Sequence, residues 1–240
     1  MQLHLVEMVK AKKSGAGHRM YKVCRRVLHS SIVKKNTYCL EVVGKELRGE
    51  GEVNAQGQRE GRGTMVYASG DMYEGQWRAG KKHGQGKFTF ATGDVYEGGF
   101  VEDEQHGHGK YSSSIGNVYE GEFVEGKRHG HGKFSFDTGN VYEGEYVADK
   151  QHGRGKMAYA DGDSYEGEWA EGNKHGKGTY TYASGEVEVG RYEADAEVGQ
   201  AVLWSADRME AWELQAGEEV RGIPLDEAAK IAERIGLPPP

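Results

Sequence analysis

A strict internal repeat is the feature that most constrains the fold of this chain. Two short sequence markers, Tyr-Glu-Gly and His-Gly-X-Gly, each return every 23 residues without slippage. The first residues of these markers are Tyr73, Tyr96, Tyr119, Tyr142 and Tyr165 for one, and His83, His106, His129, His152 and His175 for the other. Degenerate copies, here called worn units, flank the five clear units. Atypical end units are expected in a stacked repeat, because no neighbouring unit covers the two ends. The chain is therefore expected to be an array of similar units rather than one compact core.

Each unit has the alternation of a β-hairpin. In residues 94–116, Tyr96, Gly98 and Phe100 fall on one side of an extended chain and Glu97 falls on the other. This period of two is that of a strand. Turn sequences such as Ser-Ile-Gly-Asn and Asp-Thr-Gly-Asn join the units, and their Gly and Asx residues favour tight turns. The pattern predicts an all-β chain, an elongated and twisted antiparallel sheet of stacked 23-residue hairpins.

The recurring aromatic residues and glycines are predicted to pack on one face of that sheet. An aromatic ring laid over a strand glycine recovers buried area and shields the backbone. The rings in question form two predicted ladders along the ribbon, with a groove of rings and glycines that we expect to bind a partner. They are Tyr73, Trp77, Tyr96, Phe100, Tyr119, Phe123, Tyr142, Tyr146, Tyr165 and Trp169.

The run Tyr-Glu-Gly-Glu-Trp followed by Gly-X-X-His-Gly-X-Gly resembles the MORN repeat, the membrane occupation and recognition nexus. The resemblance covers residues 50–201 and is specific because five units match together. It implies a twisted antiparallel sheet of hairpins with a scaffold or docking role. Similar repeats occur in radial spoke head proteins of cilia, in junction proteins between membranes, and beside separate catalytic domains in some kinases and methyltransferases. We expect no such domain within these 240 residues.

The charge distribution divides the chain into three predicted segments. Residues 1–48 carry 11 Lys/Arg and 3 Asp/Glu, so this extension is basic by 8 charges. Residues 49–201 form the predicted repeat ribbon, with the clear repeats between residues 73 and 187, and residues 202–240 form a predicted acidic cap. The whole chain has a formal charge of −7.

The basic extension contains an amphipathic pattern over residues 20–35. Apolar residues recur at helical spacing and basic residues occupy the other side, which is typical of an amphipathic helix. One interpretation is a helix packed on the ribbon or a poorly ordered extension. The other is a functional segment that contacts an anionic membrane surface, binds calmodulin or serves as a mitochondrial targeting segment. At the other end, Pro224, an acidic first turn and Gly236 predict a capping helix over residues 224–235.

Composition excludes several classes of protein. No stretch approaches the ~18 continuous apolar residues of a membrane helix. Cys24 and Cys39 are the only cysteines, too few for a disulfide framework. The expectation is a cytoplasmic protein, in a cytoskeletal or axonemal assembly or at the cytoplasmic face of a membrane.

No pattern indicates catalysis. Five identical histidine positions argue for structure, and equivalent residues in successive hairpins lie roughly 10 Å apart, too far to share a metal ion. Gly-X-Gly lacks the context of a phosphate loop, and the acidic ribbon opposes nucleic acid. We therefore expect no enzyme, catalytic residue, metal, cofactor, small-molecule substrate or nucleic-acid partner.

The favoured function is a non-catalytic scaffold that docks a helix or an extended peptide on the groove of rings and glycines. The alternative is a peripheral membrane adaptor that binds anionic phospholipid through the basic extension and the lysine-rich hairpin turns. The residues assigned to that alternative are Lys22, Arg25, Arg26, Lys34, Lys35, Lys81, Lys82, Lys127 and Arg128.

Overall fold

The computed structural model describes residues 37–39 and 48–240. These residues form one antiparallel sheet of 18 strands followed by one helix. The all-β ribbon of stacked hairpins predicted from the repeat is confirmed. The amphipathic segment at residues 20–35 lies outside the described residues, and the division into three domains stays a prediction.

Strand order follows chain order along almost the whole sheet. Each strand pairs with the next, except that β14 pairs with both β15 and β16. The elements are β1 Thr37–Cys39, β2 Arg48–Val53, β3 Arg59–Val66, β4 Met72–Arg78, β5 Lys81–Thr89, β6 Val95–Val101, β7 Glu104–Ser112, β8 Val118–Val124, β9 Lys127–Ser135, β10 Val141–Val147, β11 Lys150–Ala158, β12 Ser164–Ala170, β13 Asn173–Thr181, β14 Val187–Glu193, β15 Ala196–Glu197, β16 Gln200–Trp204, β17 Ala211–Gln215, β18 Glu218–Ile223 and α1 Leu225–Ile235.

The two glycines of His-Gly-X-Gly have different structural reasons. The first is a β-bulge residue in the left-handed region, as at Gly130 with φ 57°, which a glycine adopts without strain. The second lies under a tyrosine ring of its own hairpin. A Cβ on Gly132 would overlap the Tyr119 ring and hydroxyl. The expectation that rings cover strand glycines is confirmed, whereas the bulge was not predicted.

The core is a single column of rings, the ring column, instead of two separate ladders. Each tyrosine of Tyr-Glu-Gly contacts the second aromatic residue of its own hairpin and that of the next. Tyr119, for example, lies edge-on to Phe123 at 5.1 Å and to Tyr146 at 5.2 Å between ring centroids. Such edge-to-face geometry suits the ring quadrupoles. In order, the column comprises Trp77, Tyr73, Phe100, Tyr96, Phe123, Tyr119, Tyr146, Tyr142, Trp169, Tyr165 and Tyr192.

In each clear repeat, the hydroxyl of the Tyr-Glu-Gly tyrosine also donates a hydrogen bond to a backbone carbonyl. The Tyr119 hydroxyl donates to the carbonyl oxygen of Glu122 at 3.0 Å, and the Tyr142 hydroxyl donates to that of Glu145 at 3.1 Å. These carbonyls belong to the bulge, where the ladder register shifts. Burial raises the pKa of Tyr119 to about 12. The tyrosine thereby fills the core and donates a hydrogen bond to a backbone carbonyl at the bulge.

Side-chain bonds to the backbone tie successive repeats together at both edges of the ribbon. At the turns between repeats, Asn117 accepts from the Asp137 amide at 2.8 Å. At the tight turns inside repeats, Asp149 accepts from the Arg128 amide at 3.0 Å. Both central residues of that tight turn, Ala148 and Asp149, have positive φ, the geometry of a type I′ hairpin.

The C-terminal helix caps the sheet as predicted. Gly236 ends α1 in the left-handed conformation, and Ala228, Ile231, Ala232 and Ile235 are buried on it. They pack against residues of β14, β16 and β17, which include Val189, Val202 and Trp204. Strands β16, β17 and β18 continue the antiparallel sheet beyond the repeats.

Candidate functional site

The sheet has two chemically different faces. Residues that pair across strands share a face. Tyr119, Phe134 and Tyr142 are paired in register across β8, β9 and β10, and they define the aromatic face. On the opposite, charged face, Glu120, Lys133 and Glu143 are paired in the same register. The repeat therefore separates rings from charges along the whole ribbon.

The ten rings predicted to line an exposed groove are buried. Their relative exposures run from 0% at Tyr73 to 5% at Trp169. The expectation of exposed rings is wrong for these ten, because the tyrosines fill the space above the glycines and are themselves enclosed by neighbouring rings. A contact between these rings and a partner stays a prediction.

The aromatic face exposes a second set of rings that sequence reasoning missed, which we name the outer aromatic row. These rings pack beside the column and remain half-buried. They are Tyr67, Phe88, Phe90, Tyr111, Phe134, Phe136, Tyr159, Tyr180 and Tyr182. The row is interrupted where Ser113 and Met157 replace an aromatic residue. Its sequence signal is the same 23-residue period, read at the end of the second strand and in the following turn.

Cations sit over the rings at one repeated position. The Lys82 ammonium lies 4.5 Å from the Phe88 centroid, and the Arg128 guanidinium lies 5.2 Å from the Phe134 centroid. Burial lowers the pKa of Lys82, and Asp103 and Asp71 oppose that shift. Such cation–π contacts stabilise weakly but fix the place of the charge.

That position alternates along the ribbon with a period of two repeats. The residues found every 23 positions are Arg59, Lys82, Gln105, Arg128, Gln151, Lys174 and Glu197. The turn residue that faces each of the first six alternates in step, as Gly80, Asp103, Gly126, Asp149, Gly172 and Asp195. From position 82 to position 174, a cation accompanies Asp and a glutamine accompanies Gly. Sequence reasoning identified Lys82 and Arg128 as basic turn residues without recognising this alternation.

The aromatic face ends in an acidic pair. Glu188 stands where the preceding repeats have the column tyrosine, and only 7% of it is exposed. It accepts hydrogen bonds from the Tyr192 hydroxyl at 2.6 Å and the Tyr182 hydroxyl at 2.8 Å. Burial and the neighbouring Glu188 carboxylate raise the pKa of Glu197 to about 7. One end of the aromatic face therefore carries cations and the other carries carboxyl groups.

The open groove floored by glycines lies on the charged face, not the aromatic one. It has a volume of about 1000 Å³ in the N-terminal half of the ribbon. Its walls carry ion pairs, including Lys87–Glu97 at 2.8 Å and Lys110–Glu120 at 3.8 Å. The glutamate of Tyr-Glu-Gly is exposed, as expected for a solvated face. In the C-terminal part of this face, α1 covers the sheet instead.

The residues assigned to lipid binding do not form one described surface. Five of them, Lys22, Arg25, Arg26, Lys34 and Lys35, lie outside the described residues. Lys81 forms an ion pair with Glu102 at 2.7 Å, and Lys82 and Arg128 lie over rings. Lys127 is exposed on the charged face, paired in register with Val124. Their role at a membrane stays a prediction.

Within residues 37–39 and 48–240, no three His, Cys, Asp or Glu side chains are grouped to hold a metal ion. A search of the same residues for a helix long and apolar enough to cross a membrane found none.

Comparisons with solved structures find distant likenesses. The G-box domain of the microcephaly protein CPAP has a TM-score of 0.47 and 10% identity, over 80% of this chain and 99% of that one. The Drosophila melanogaster SAS-4 TCP domain, solved with a proline-rich motif of Ana2, has a TM-score of 0.43 and 11% identity, over 78% and 93%. The Danio rerio CPAP TCP10 domain, solved with a STIL peptide, has a TM-score of 0.41 and 10% identity, over 79% and 99%.

A search of curated protein sequences found no significant match. The family model described as the MORN repeat matches six consecutive segments, at residues 55–72, 73–95, 96–118, 119–141, 142–164 and 165–187. The segments cover more than half of the chain and coincide with the hairpins of the ribbon, and they indicate a repeat module and no enzyme family. The chain belongs to the MORN-repeat family.

Proposed function

We propose that this protein is a non-catalytic scaffold that docks a protein partner, a helix or an extended peptide, on the outer aromatic row. The observation that carries the proposal is a row of half-buried rings along one face of the ribbon, which is interrupted where Ser113 and Met157 replace an aromatic residue. No element among the described residues covers that row. Contiguous exposed apolar surface of this kind marks interaction sites in soluble proteins.

The spacing of the row suits an elongated partner. Successive repeats are two strand spacings apart, about 10 Å. Seven residues of an α-helix rise about 10.5 Å, so a partner helix with an apolar residue every seventh position stays in step with the rings. The same reasoning admits an extended peptide with an apolar residue about every third position. A ciliary or cytoskeletal assembly is the setting we propose for such a scaffold.

The experiment compares two double variants of the full chain. Phe90→Ser with Phe136→Ser removes two outer rings and installs the residue that the chain itself carries at Ser113 in the equivalent position. Val101→Ser with Val124→Ser removes two valines of the charged face, exposed by 42% and 39%. Proteins that cross-link to the native chain and to each double variant are identified by quantitative mass spectrometry. The most strongly cross-linked partner is then purified for titration.

We expect the ring variant to raise the Kd of the purified partner at least about tenfold, because buried apolar contact is lost. The valine variant retains the affinity of the native chain. Equal affinities for all three proteins would show that the aromatic face is not the docking site. Circular dichroism spectra establish that both variants remain folded.

The competing proposal is a peripheral membrane adaptor that binds anionic phospholipid. Co-sedimentation of the full chain with vesicles of graded phosphatidylserine content tests it. Electrostatic attachment falls steeply as salt is raised, whereas docking by apolar packing does not. Binding that is absent even at low salt removes this proposal and leaves the protein scaffold.

A further inference from the structure

A pocket of about 400 Å³ opens on the aromatic face at the N-terminal end of the ribbon. Its walls include Arg59, Tyr67, Trp77, Lys82 and Phe88. Cations occupy the repeated position in two successive repeats here, at Arg59 and Lys82, whereas cation and glutamine alternate in the repeats that follow. Among positions 59 to 197 of this series, this is therefore the one place where two cations stand in neighbouring repeats.

The Arg59 guanidinium has an unused donor inside the structure. It stacks on the Trp77 ring with 4.1 Å between the guanidinium carbon and the ring centroid. Its Nη2 donates to the Gly80 carbonyl oxygen at 3.4 Å. Its Nη1 is enclosed and has no acceptor among the described residues. A guanidinium has five N–H donors, and an enclosed donor without an acceptor is costly.

The neighbouring Lys82 ammonium is also available. It faces the Phe88 ring at 4.5 Å and the Phe100 ring at 5.5 Å. Within the described part of the chain, it forms no ion pair within 4.0 Å. The equivalent Arg128 differs, because its Nε donates to Asp149 Oδ1 at 3.1 Å and its Nη2 donates to the Asp149 carbonyl oxygen at 2.7 Å.

Two carboxylates line the same pocket, and backbone or hydroxyl donors already bind them. Asp71 accepts from the Ala91 amide at 2.8 Å and from the Ser69 hydroxyl at 2.6 Å. Asp103 accepts from the Lys82 amide at 2.8 Å. These bonds hold the turns of adjacent repeats, so the two carboxylates balance the local charge without satisfying Arg59 Nη1.

We propose that this pocket anchors an Asp or Glu side chain of the docked partner between Arg59 and Lys82. Because Nη1 is enclosed, the Arg59 side chain must turn from its present position to reach the incoming carboxylate, and the exchange gives that donor an acceptor. Charge-assisted bonds of this kind are the stronger ones. An apolar neighbour of that acidic residue packs on Tyr67 and Phe88. The acidic pair at the far end, Glu188 and Glu197, disfavours the same side chain, so the anchor also sets the direction of the partner. The proposal rests on the proposed function for the existence of that partner.

Two capped tripeptides serve as probes, acetyl-Phe-Glu-Phe-amide and its neutral match acetyl-Phe-Gln-Phe-amide. Each is titrated into the full chain, and the indole N–H signal of Trp77, assigned with Trp77→Phe, reports on the pocket by NMR. The test variant is Arg59→Gln with Lys82→Gln, because glutamine is the residue that the chain carries at positions 105 and 151. The control is Lys110→Gln with Lys133→Gln, which removes the same charge from the opposite face.

We expect the glutamate peptide to bind the native chain at least about tenfold more tightly than the glutamine peptide. The test variant loses this preference and the control keeps it. Equal binding of both peptides, or a preference that survives in the test variant, overturns the anchor. It is also overturned if neither peptide moves the Trp77 signal. In each of those cases the outer-ring comparison still decides the proposed function, because it depends on Phe90 and Phe136 and not on Arg59 or Lys82.

Discussion

The five clear repeats and the unit that follows them share one backbone pattern but have different cores. In the clear repeats a tyrosine is enclosed at the glycine pair and donates to a bulge carbonyl. In the last unit Glu188 takes that position and accepts from Tyr182 and Tyr192. Strand pairing continues without a break from β13 to β14. The same hairpin backbone therefore accommodates either a tyrosine or a glutamate at this core position, provided that the polar group of the side chain is hydrogen-bonded.

The last unit also differs in what covers it. Along the clear repeats, the charged face carries its row of glutamates and lysines to the solvent. At β14 and β16 this row becomes Val189 and Val202, and α1 covers them. A carboxylate on one face is thus combined with a hydrophobic cap on the other. At its C-terminal end, the ribbon therefore has a hydrophobic core on the face that is charged in the clear repeats.

The largest expected effect comes from moving the carboxylate of the last unit into the middle. Tyr142→Glu places a charge where the structure offers rings and a glycine pair, without the two phenol donors that bind Glu188. We expect a loss of at least about 3 kcal/mol in the free energy of unfolding, from lost ring burial and an unpaired buried charge. Urea denaturation with hydrogen exchange over residues 119–169 measures it.

Tyr142→Phe is the control for that prediction, because it removes only the hydroxyl that donates to the Glu145 carbonyl at 3.1 Å. It should cost about 1 kcal/mol. If Tyr142→Glu is no more destabilising than Tyr142→Phe, the distinction between the two cores is wrong.

The second prediction separates the two kinds of glycine. Gly132→Ala puts a methyl group against the Tyr119 ring and should cost about 2–3 kcal/mol through overpacking. Gly107 has a φ of 70° and nothing within 4 Å of an added Cβ, so Gly107→Ala should cost only about 1 kcal/mol of backbone strain. Chemical denaturation of the two variants measures both changes. The reverse order would contradict the assignment of ring-covered and bulge glycines.

The repeat period made much of this fold predictable, because alternation within 23 residues reports strand pairing directly. It also placed the rings over glycines such as Gly132. It could not show that Tyr119 and its equivalents would be enclosed, since enclosure depends on contact with the ring of the next hairpin. The same alternation is compatible with rings that lie open on a surface.

The bulge and the pocket were harder to foresee. The bulge shifts the register by two residues, from Gly121 opposite Gly132 to Glu122 opposite His129, and the local sequence at Gly130 does not distinguish this from continuous pairing. The pocket depends on Arg59, which belongs to a worn unit where the markers fade. In the sequence, the pocket is indicated only by a comparison of the equivalent positions 59, 82 and 105 in successive repeats. The structure is needed to show that the side chains at these positions lie over the rings.

The third prediction concerns the pH dependence of the last unit. The pKa of Glu197 is about 7 in the folded chain, against an ordinary value of 4.5. The folded chain therefore holds a proton that the unfolded chain releases between these values. The resulting stabilisation is fully present below about pH 4.5 and is lost as the pH rises through about 7.

Glu197→Gln imitates the protonated carboxyl group and isolates this contribution. At pH 8 the variant should be more stable than the native chain by on the order of 1–2 kcal/mol, because partial solvent contact reduces the full linkage value. At pH 4.5 the two should agree. Thermal denaturation at several pH values measures the difference, and a difference that is constant with pH would contradict the assignment. The charged and titratable groups that act on Glu197 and its partner are Glu188, Tyr182 and Tyr192.

The smallest expected effect tests whether the residue over the rings and the turn residue that faces it alternate together because they interact. Arg128→Gln removes a cation from the Phe134 ring and should cost less than about 1 kcal/mol. Asp149→Gly removes the acceptor of the Arg128 amide but relieves a residue at φ 73°, so its net effect is small. Together the substitutions recreate the combination found at Gln105 and Gly126, which the ribbon already tolerates. We expect the double variant to be more stable than the sum of the single changes, by a coupling of about 0.5 kcal/mol in a double-mutant cycle. Strictly additive changes in stability would mean that the cation and the turn residue do not interact. The alternation would then reflect the surface that each repeat presents to its surroundings.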